Sequence, residues 1–337
     1  MEYLMSKLKK TSIIVGVIVG TLCSFWGLVN IIPPKKVINE NPWIAKDQPM
    51  ISAHRGGAFL NPENTEKAFD YVIIETNYCD IVEIDIHKTK DGVLVINHDD
   101  SMDRMCLDDE KKETDITKDV VIKDTNYKDL LQYNMGRNFV DSKGNKPYEN
   151  LTIEQAKEQN LTIMTLEEFL IKYQQYNFKL YLEIKEPNTE GINEANKTVD
   201  MVYELFERAE YSSWKNRTMI ISFTDSLIDY IIEKYPDLYV GALGYKIAPQ
   251  LIATALGLTT LIPSKYHSFQ TQMNNSAGPI KINCATKAFV RASHRRNQSI
   301  TYWTINNEKE MDKLIKIGAD VITTNAPDVL AKKLGKN

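Results

Sequence analysis

Cysteine is scarce in this chain of 337 residues, which contains only Cys23, Cys79, Cys106 and Cys284. No pair has the C-x-x-C spacing of a zinc site, and four scattered cysteines do not make a dense disulfide framework. One Cys79–Cys106 bridge stays open, but spacing alone does not bring two Cα atoms within bridging distance. Small buried or unpaired thiols are therefore the favoured interpretation.

The chain also lacks an excess of positive charge. Its 41 Lys and Arg residues face 45 Asp and Glu residues, which gives a net charge of -4. A nucleic-acid backbone is therefore not an expected partner. The nucleotide motifs GxGxxG and GxxxxGK[ST] do not occur either. Any anionic ligand must be bound by a local group of side chains.

Long apolar runs are missing with one exception, residues 12–32. As a helix this run is about 30 Å long, the thickness of the hydrocarbon layer. We predict a transmembrane anchor there, after a cytoplasmic tail at 1–11. The lysines before the run slightly outnumber those after it, so the rest of the chain is expected outside the cytoplasm, on a single-pass protein of the cell membrane.

A cleaved signal peptide is the alternative for this segment. Its apolar core is usually about 7–15 residues long and ends in small residues. Here the run is longer, and Phe25 and Trp26 are bulky, which favours an uncleaved anchor. Pro33 and Pro34 end the helix, since proline lacks the amide hydrogen. Residues 33–48 are predicted to be a linker.

After the linker, short apolar runs alternate with amphipathic segments. This order is typical of parallel crossovers, and about eight strands fit an α/β protein with a closed (β/α)8 TIM barrel, predicted over 49–337. The polar stretch at about 101–162 is predicted to be an insertion that covers the strand ends. The predicted strands are Met50–Ala53, Ile81–His87, Val93–Asn97, Leu180–Lys185, Thr218–Phe223, Tyr239–Leu243, Thr301–Ile305 and Val321–Thr323.

Two of these strands carry acidic residues at alternate positions. Glu83 and Asp85 share one face of the first, and Glu183 with Lys185 repeats the pattern in the second. Burying three carboxylates together is unfavourable unless a cation neutralises them. Carboxylate ligands predict one divalent cation, Ca²⁺ or Mg²⁺. A salt-bridge cluster with Lys185 and Arg55 remains the alternative.

Histidines stand at the ends of two predicted strands. His54 ends the first strand and His98 follows the third. Both are expected at the rim that carries the carboxylates, and His87 shares the direction of the acidic residues. An acid and a base beside a phosphate bound to a cation can break a P–O bond. For His267 and His294, hydrogen-bonded structural roles are expected.

An ordered set of motifs resembles the glycerophosphodiester phosphodiesterase family over residues 49–334. A single short motif would carry little information, but the whole set in this order is specific. The motifs are HRG (54–56), PENT (62–65), EIDIHKTKDG (83–92), VLVINHD (93–99), MTLEEFL (164–170), LEIK (182–185), YWTIN (302–306) and GADVITTNAPD (318–328).

The resemblance implies a (β/α)8 barrel with a small insertion and a role for each site residue. It implies that Glu83, Asp85 and Glu183 hold the metal and that His54 and His98 are the catalytic pair. The phosphate would be bound by Arg55 and Lys185, the metal or hydroxyl side would be supported by Glu63 and Asn64, and the wall beside the glycerol would be Trp303.

The sequence departs from the family pattern at two positions. Asn325 stands where an aspartate-containing ending is usual, and Met164 stands where proline is common. Neither residue is assigned a chemical role, so activity is still expected.

The expected reaction is metal-dependent hydrolysis of glycerophosphodiesters to glycerol phosphate and an alcohol, through a cyclic phosphate. The alternatives are a related phosphodiesterase acting on lysophospholipids or other membrane lipids, or on polyglycerolphosphate polymers. A membrane-anchored binding module without catalysis is the alternative from another class. The full set of histidines and carboxylates argues against it.

Overall fold

The computed structural model describes residues 2–107, 120–186, 188–189, 192–277 and 280–336. A long N-terminal helix is followed by alternating strands and helices. The helices are α1 (Glu2–Ile31), α2 (Glu66–Asp70), α3 (Asp103–Cys106), α4 (Tyr127–Leu130), α5 (Ile153–Glu158), α6 (Leu166–Tyr173), α7 (Glu194–Glu207), α8 (Ser212–Lys215), α9 (Asp225–Lys234), α10 (Ala248–Ala255), α11 (Lys287–His294), α12 (Glu308–Ile317) and α13 (Pro327–Lys333).

The strands form one closed parallel barrel with short additions. The barrel has the order β1-β13-β12-β9-β8-β7-β4-β2 and closes through a β1–β2 pairing. The (β/α)8 prediction is confirmed. The strands are β1 (Met50–Ala53), β2 (Ile81–Lys88), β3 (Leu94–Ile96), β4 (Lys179–Ile184), β5 (Asn188–Thr189), β6 (Ile192–Asn193), β7 (Thr218–Ser222), β8 (Tyr239–Ala242), β9 (Ser268–Thr271), β10 (Asn274–Ala277), β11 (Ile280–Asn283), β12 (Ser299–Tyr302) and β13 (Val321–Thr324).

Two details of the strand prediction were wrong. The predicted strand Val93–Asn97 contains β3, which runs antiparallel to the end of β2 and lies outside the barrel. The barrel strand β9 was missed because its sequence, SFQT, is not an apolar run. Two of its polar residues, Ser268 and Gln270, are buried and share the face that points into the barrel. A polar inner face hides a strand from a search for apolar runs.

The outer face of the barrel is apolar, as the alternation in β2 and β4 predicted. Val82, Ile84 and Leu182 are fully buried in the main hydrophobic core beneath the helices. The opposite faces of the same strands therefore point into the barrel. Each barrel strand thus has one face available for packing and one for chemistry.

The base of the barrel, at the amino ends of its strands, is covered by residues of the predicted linker. Trp43 is completely buried and stacks on Tyr181 with ring centroids 5.2 Å apart. The Asn41 amide donates to the backbone oxygens of His267 and Asn297 at 2.8 and 2.9 Å. The boundaries 33–48 remain a prediction, but this part of the chain packs against the barrel.

The predicted insertion contains the short helices α3, α4 and α5, and the first two contribute to a small separate core. Met102, Met105, Leu130 and Met135 are buried in that core. Residues 108–119 of the segment lie outside the described residues. The extent of about 101–162 remains a prediction, and the described part lies beside the site through the loop after β3.

Helix α1 contains a candidate membrane span, Lys9–Ile31, of 23 residues with a mean hydropathy of 2.2. A signal sequence has the same properties, so both interpretations stay open. The four cysteines are free thiols. The Cys79–Cys106 bridge is therefore not formed, and the favoured interpretation of unpaired thiols agrees with the structure.

His267 and His294 lie at the base, away from the candidate site. Burial lowers the pKa of His267 to about 4, and its Nδ1 accepts a hydrogen bond from the backbone nitrogen of Val240 at 3.0 Å. His294 Nε2 lies 2.9 Å from a carboxylate oxygen of Asp320. Both side chains have structural partners.

Candidate active site

A cavity of about 200 Å³ opens at the carboxyl ends of the barrel strands, the end opposite Trp43. This is the end at which barrel loops build active sites. Of the ten predicted site residues, all except Asp85, Glu63 and Asn64 line it. Those that line it are His54, Arg55, Glu83, His98, Glu183, Lys185 and Trp303.

Three acidic side chains meet at this cavity, two of them in its lining and Asp85 behind them. Parallel pairing of β2 with β4 puts Asp85 directly beside Glu183, and the strand period of two puts Glu83 on the same face. One carboxylate oxygen from each residue lies within 4.8 Å of the other two. Glu83 and Asp85 are almost inaccessible to solvent, and Glu183 is nearly so.

Burial and the neighbouring charges change the pKa values of these carboxylates. Burial, followed by the charges of Asp85 and Glu183, raises the pKa of Glu83 well above its ordinary value. Burial and Asp85 also raise the pKa of Glu183. For Asp85, burial is outweighed by Lys185 and Arg55, which lower the pKa. Since three carboxylates face two cations, one negative charge is left to be neutralised.

The oxygen atoms of these carboxylates are suitable ligands for a hard divalent cation. Glu83 Oε1 and Asp85 Oδ1 are buried, and neither has a hydrogen-bond partner among the described residues. A buried carboxylate oxygen without a partner is energetically unfavourable unless an ion or another ligand binds it. Carboxylate oxygens are the ligands of Ca²⁺ and Mg²⁺, so Glu83, Asp85 and Glu183 could hold either ion.

Arg55 and Lys185 lie against the same carboxylates. Lys185 Nζ is 2.9 Å from Glu183 Oε1 and 3.5 Å from Asp85 Oδ1. Arg55 Nε is 3.5 Å from Asp85 Oδ2. Arg55 has φ of 52°, a left-handed conformation that is unfavourable for a bulky residue and is found at functional sites. Its backbone nitrogen donates to Glu83 Oε2 at 2.9 Å.

The PENT segment supports the site from outside the cavity. Glu63 Oε1 accepts from Arg55 at 2.9 Å and from Arg104 at 2.6 Å, so it links two arginines. The buried Asn64 donates from Nδ2 to Asp85 Oδ2 at 2.9 Å. Asn64 therefore orients one of the acidic residues, while Glu63 orients Arg55.

His54 has a neutral partner from the other end of the chain. Its Nδ1 lies 2.6 Å from Asn325 Oδ1. An amide oxygen only accepts, so Nδ1 carries the proton and Nε2 is free to act as a base. Nε2 is 4.0 Å from Glu83 Oε2. Burial, with the charge of Arg55, lowers the pKa of His54 to about 4, so the imidazole is neutral at pH 7.

His98 has a charged partner instead. Its Nδ1 lies 2.7 Å from Asp99 Oδ1, and Arg104 Nε donates to Asp99 Oδ2 at 2.5 Å. Although burial acts against it, these hydrogen bonds lower the pKa of Asp99. The carboxylate accepts from Nδ1 and orients the ring. The two histidines therefore differ in the charge of their partners, an amide for His54 and a carboxylate for His98.

His98 reaches the rim by a route that the sequence analysis did not foresee. It follows β3, which returns antiparallel along the end of β2. His87 Nε2 lies 3.2 Å from the backbone oxygen of His98 and helps to hold this loop. His98 lies at the rim, as expected. It is brought there by the antiparallel hairpin of β2 and β3 instead of by a barrel strand.

The model of the Glycerophosphoryl diester phosphodiesterase family matches residues 54–329. The chain belongs to this family. It is 27% identical over 283 residues to a glycerophosphodiester phosphodiesterase from Bacillus altitudinis, with 84% of this chain and 96% of the relative covered. It is 26% identical over 302 residues to a lysophospholipase D from Mus musculus, with 85% and 82% covered.

Solved structures have the same fold. A glycerophosphoryl diester phosphodiesterase domain from Mycobacterium tuberculosis has a TM-score of 0.63 and 18% identity, with 86% of this chain and all of that domain covered. A phosphodiesterase from Oleispira antarctica, solved with sn-glycerol-3-phosphate, has a TM-score of 0.57 and 20% identity, with 86% and 97% covered. As a glycerophosphodiester phosphodiesterase, this protein is a phosphoric diester hydrolase.

Sequence reasoning missed some residues of this phosphodiesterase site. Phe223 lines the cavity and meets Trp303 edge to face, with ring centroids 5.6 Å apart. Asn325, which was assigned no chemical role, contacts His54. Its position directly after β13 was the available signal, because every barrel strand ends at the same rim. For Phe223 the same signal existed, since it directly follows β7.

Proposed function

We propose that this phosphodiesterase hydrolyses glycerophosphodiesters to glycerol phosphate and an alcohol, with one divalent cation held by Glu83, Asp85 and Glu183. The observation that carries the proposal is the convergence of three buried carboxylates beside two histidines with different partners. Bound at this position, the ion supplies electrostatic stabilisation for a non-bridging phosphate oxygen.

Arg55 and Lys185 are proposed to bind the remaining phosphate charge. Both line the cavity, and a guanidinium group can donate two parallel hydrogen bonds to a phosphate. The glycerol part is expected to lie against Trp303, which faces the same space. In this arrangement the scissile P–O bond is expected to lie between the two imidazoles at the rim.

His54 is proposed as the base and His98 as the acid in the first step. His54 Nε2 takes the proton of the glycerol 2-hydroxyl, whose oxygen attacks phosphorus. The bond to the leaving alcohol breaks, and His98 gives that alcohol its proton. The product of this step is a cyclic phosphate. Water then opens the ring with the two histidines in the reverse roles, which regenerates both and releases glycerol phosphate.

Replacement of either histidine by alanine tests these roles. We expect His54→Ala and His98→Ala each to lower kcat about 10²–10⁴-fold, the usual contribution of acid–base groups. His294→Gln is a matched control because His294 lies at the base, and its turnover should equal that of wild type. Single-histidine variants that keep wild-type turnover would reject the mechanism. Phosphorus NMR during turnover tests for the cyclic phosphate.

The ion is tested by removal and replacement. Chelator-treated protein should lose turnover of glycerophosphocholine and recover it with Ca²⁺ or Mg²⁺. Isothermal titration of the same two ions into the chelated protein gives a readout that does not depend on activity. Full turnover after complete chelation would contradict the proposed ion and favour the salt-bridge cluster.

Lysophospholipids are the second candidate substrates. The Mus musculus relative is named a lysophospholipase D, and the exposed ring of Phe223 stands at the cavity. Comparing kcat/KM for glycerophosphocholine, lysophosphatidylcholine and polyglycerolphosphate separates the possibilities. Higher kcat/KM for the lipid would replace the proposed substrate without removing the proposed chemistry.

We further propose that α1 is retained as a single membrane anchor, with the barrel outside the cytoplasm. Its support is the candidate span Lys9–Ile31. Mass spectrometry of the protein from membranes tests retention, since a cleaved signal peptide would shorten the chain. Protease treatment of intact cells tests the orientation, because a barrel in the cytoplasm would be protected.

A further inference from the structure

The apolar helix α1 is attached to the base of the barrel at a defined level. Trp26 Nε1 donates to the backbone oxygen of Leu256 at 3.2 Å, and Asn30 Nδ2 donates to that of Gly257 at 3.0 Å. Gly257 has φ of +69°, and a Cβ on it would lie 2.8 Å from Trp26 Nε1. The close approach therefore depends on glycine at this position.

Beside this contact the barrel exposes three large apolar side chains. Ile252, Leu256 and Leu261 are 44%, 60% and 50% exposed. They belong to α10 and to the turn after it, which leads back to the base of the barrel before β9. We call these three residues the base patch. Exposed apolar side chains that cluster next to an apolar helix mark an interaction surface.

The position of Trp26 sets the height of the base patch relative to a bilayer. A hydrocarbon layer of about 30 Å needs about 20 helical residues, and the candidate span has 23. Trp26 lies five residues before the end of that span, within about one and a half helical turns. Tryptophan is enriched at this depth. Leu256, which contacts Trp26, must lie at the same depth.

Residues that follow α1 fit a lipid surface at this level. Lys35 and Lys36 are exposed just beyond the end of the helix, where cations meet anionic headgroups. Arg295 contacts the same region, since its guanidinium donates to the backbone oxygen of Ile32 at 2.8 Å. An apolar patch flanked by cations is suited to the boundary between acyl chains and headgroups.

The catalytic cavity opens at the other end of the barrel. The chain between α1 and β1 runs under the base, where Val37 donates to the backbone oxygen of Arg296 at 2.8 Å. Phe59, which is 52% exposed, marks the opposite end. Its backbone nitrogen bonds to the oxygen of Asn325, the partner of His54.

We propose that the base patch lies in the interfacial layer of the bilayer crossed by α1, so that the cavity faces away from that bilayer. The inference rests on the proposed membrane anchor. Its consequence concerns the substrate class: diesters reach the site from the aqueous phase, and lipid headgroups of the anchoring bilayer lie at the wrong end of the barrel.

The test uses single labels on the full-length protein. Leu256→Cys, Leu261→Cys, Phe59→Cys and Ile171→Cys are made separately in a Cys23→Ser background and labelled with an environment-sensitive NBD dye. Each is reconstituted in vesicles of phosphatidylcholine and phosphatidylglycerol. Ile171 is the matched control, because it is an apolar residue that is 52% exposed on another helix of the barrel, α6. Brominated lipids quench only dyes that reach the bilayer.

We expect blue-shifted emission and strong quenching at 256 and 261, with water-like, unquenched emission at 59 and 171. Water-like emission at 256 and 261 would overturn the proposal, and so would lipid quenching at 59. Failure of the protein to float with the vesicles would also overturn it by removing the anchor. Hydrolysis of glycerophosphocholine, measured on the same samples, reports separately on the proposed catalytic function.

Discussion

Two buried aspartates at opposite ends of the barrel have very different surroundings. At the base, Asp320 accepts from the backbone nitrogens of Ala45 and Ile300 at 3.0 and 2.8 Å, and His294 lies 2.9 Å away. At the cavity, Asp85 lies beside two further carboxylates, and its Oδ1 has no hydrogen-bond partner among the described residues. Both side chains are almost inaccessible to solvent.

The difference shows that burial by itself does not identify a functional acid. Asp320 has donors for both oxygens and needs no further ligand. Asp85 belongs to a group with surplus negative charge and with oxygens left without donors, which is unfavourable unless an ion binds. The partners of a buried carboxylate therefore separate a structural acid from a candidate metal ligand.

The largest expected effect is at the cavity. Asp85→Asn should abolish detectable turnover, because it removes a proposed ligand of the ion. In chelator its melting temperature should stay near that of wild type, since two carboxylates would then face two cations. Steady-state kinetics and thermal unfolding measure the two quantities. Wild-type turnover in this variant would remove Asp85 from the site.

The matching change at the base should have the opposite outcome. Asp320→Asn leaves a buried donor or acceptor without its partner, which should lower the free energy of unfolding by about 1–3 kcal/mol. The folded fraction should keep wild-type kcat, because Asp320 lies far from the cavity. Urea unfolding and kinetics below the transition test this. A large loss of kcat with unchanged stability would contradict the division between the two ends.

Asn325→Ala should have an intermediate effect on catalysis. Without its amide partner, His54 loses the contact that fixes its tautomer and orientation. Loss of a contact that orients a metal-bound histidine typically lowers activity about 10–100-fold, and we expect a loss of similar size for this histidine. Asn325→Asp is the informative companion, because a carboxylate on Nδ1 should raise the pKa of His54 and shift the acidic limb of the kcat/KM profile to higher pH. If both variants keep the wild-type pH profile of kcat/KM, Asn325 does not position His54.

The smallest expected effect is the pH dependence of stability at the base. The hydrogen bond to Asp320 raises the pKa of His294. A raised folded pKa means that protonated His294 adds to the free energy of unfolding. This contribution is fully present below the pKa of an unfolded histidine, about 6.5, and is lost as pH rises through the higher folded pKa. His294→Gln should remove this dependence between weakly acidic and weakly alkaline pH, as measured by urea unfolding. An identical pH profile in the variant would show that the pair contributes nothing.

The sequence predicted the parts of the fold that depend on local periodicity. Alternation along β2 and β4 was enough to bring Glu83, Asp85 and Glu183 together, because parallel neighbours in a barrel share a rim. Prediction from periodicity did not find β9, because the inner face of that strand is polar and its sequence is not an apolar run. It also failed for β3, since periodicity does not tell a parallel strand from a hairpin.

Contacts between distant parts of the chain could not be predicted in the same way. The pairing of His54 with Asn325 joins residues 271 positions apart. Neither the linking of Arg55 to Arg104 through Glu63 nor the burial of Trp43 leaves a periodic signal. These features depend on where the closed barrel places its ends, which no local pattern contains.

The position of Trp43 beneath the cavity determines by which path the products can leave. Tyr181, Ile221 and Leu243 form the inner lining of the cavity, and Trp43 packs in the same apolar cluster beneath them. These side chains therefore close the base of the cavity, which opens at the rim. We expect both products to leave by the path through which the diester entered, and a polymeric substrate to be shortened from its terminal unit instead of being cut internally.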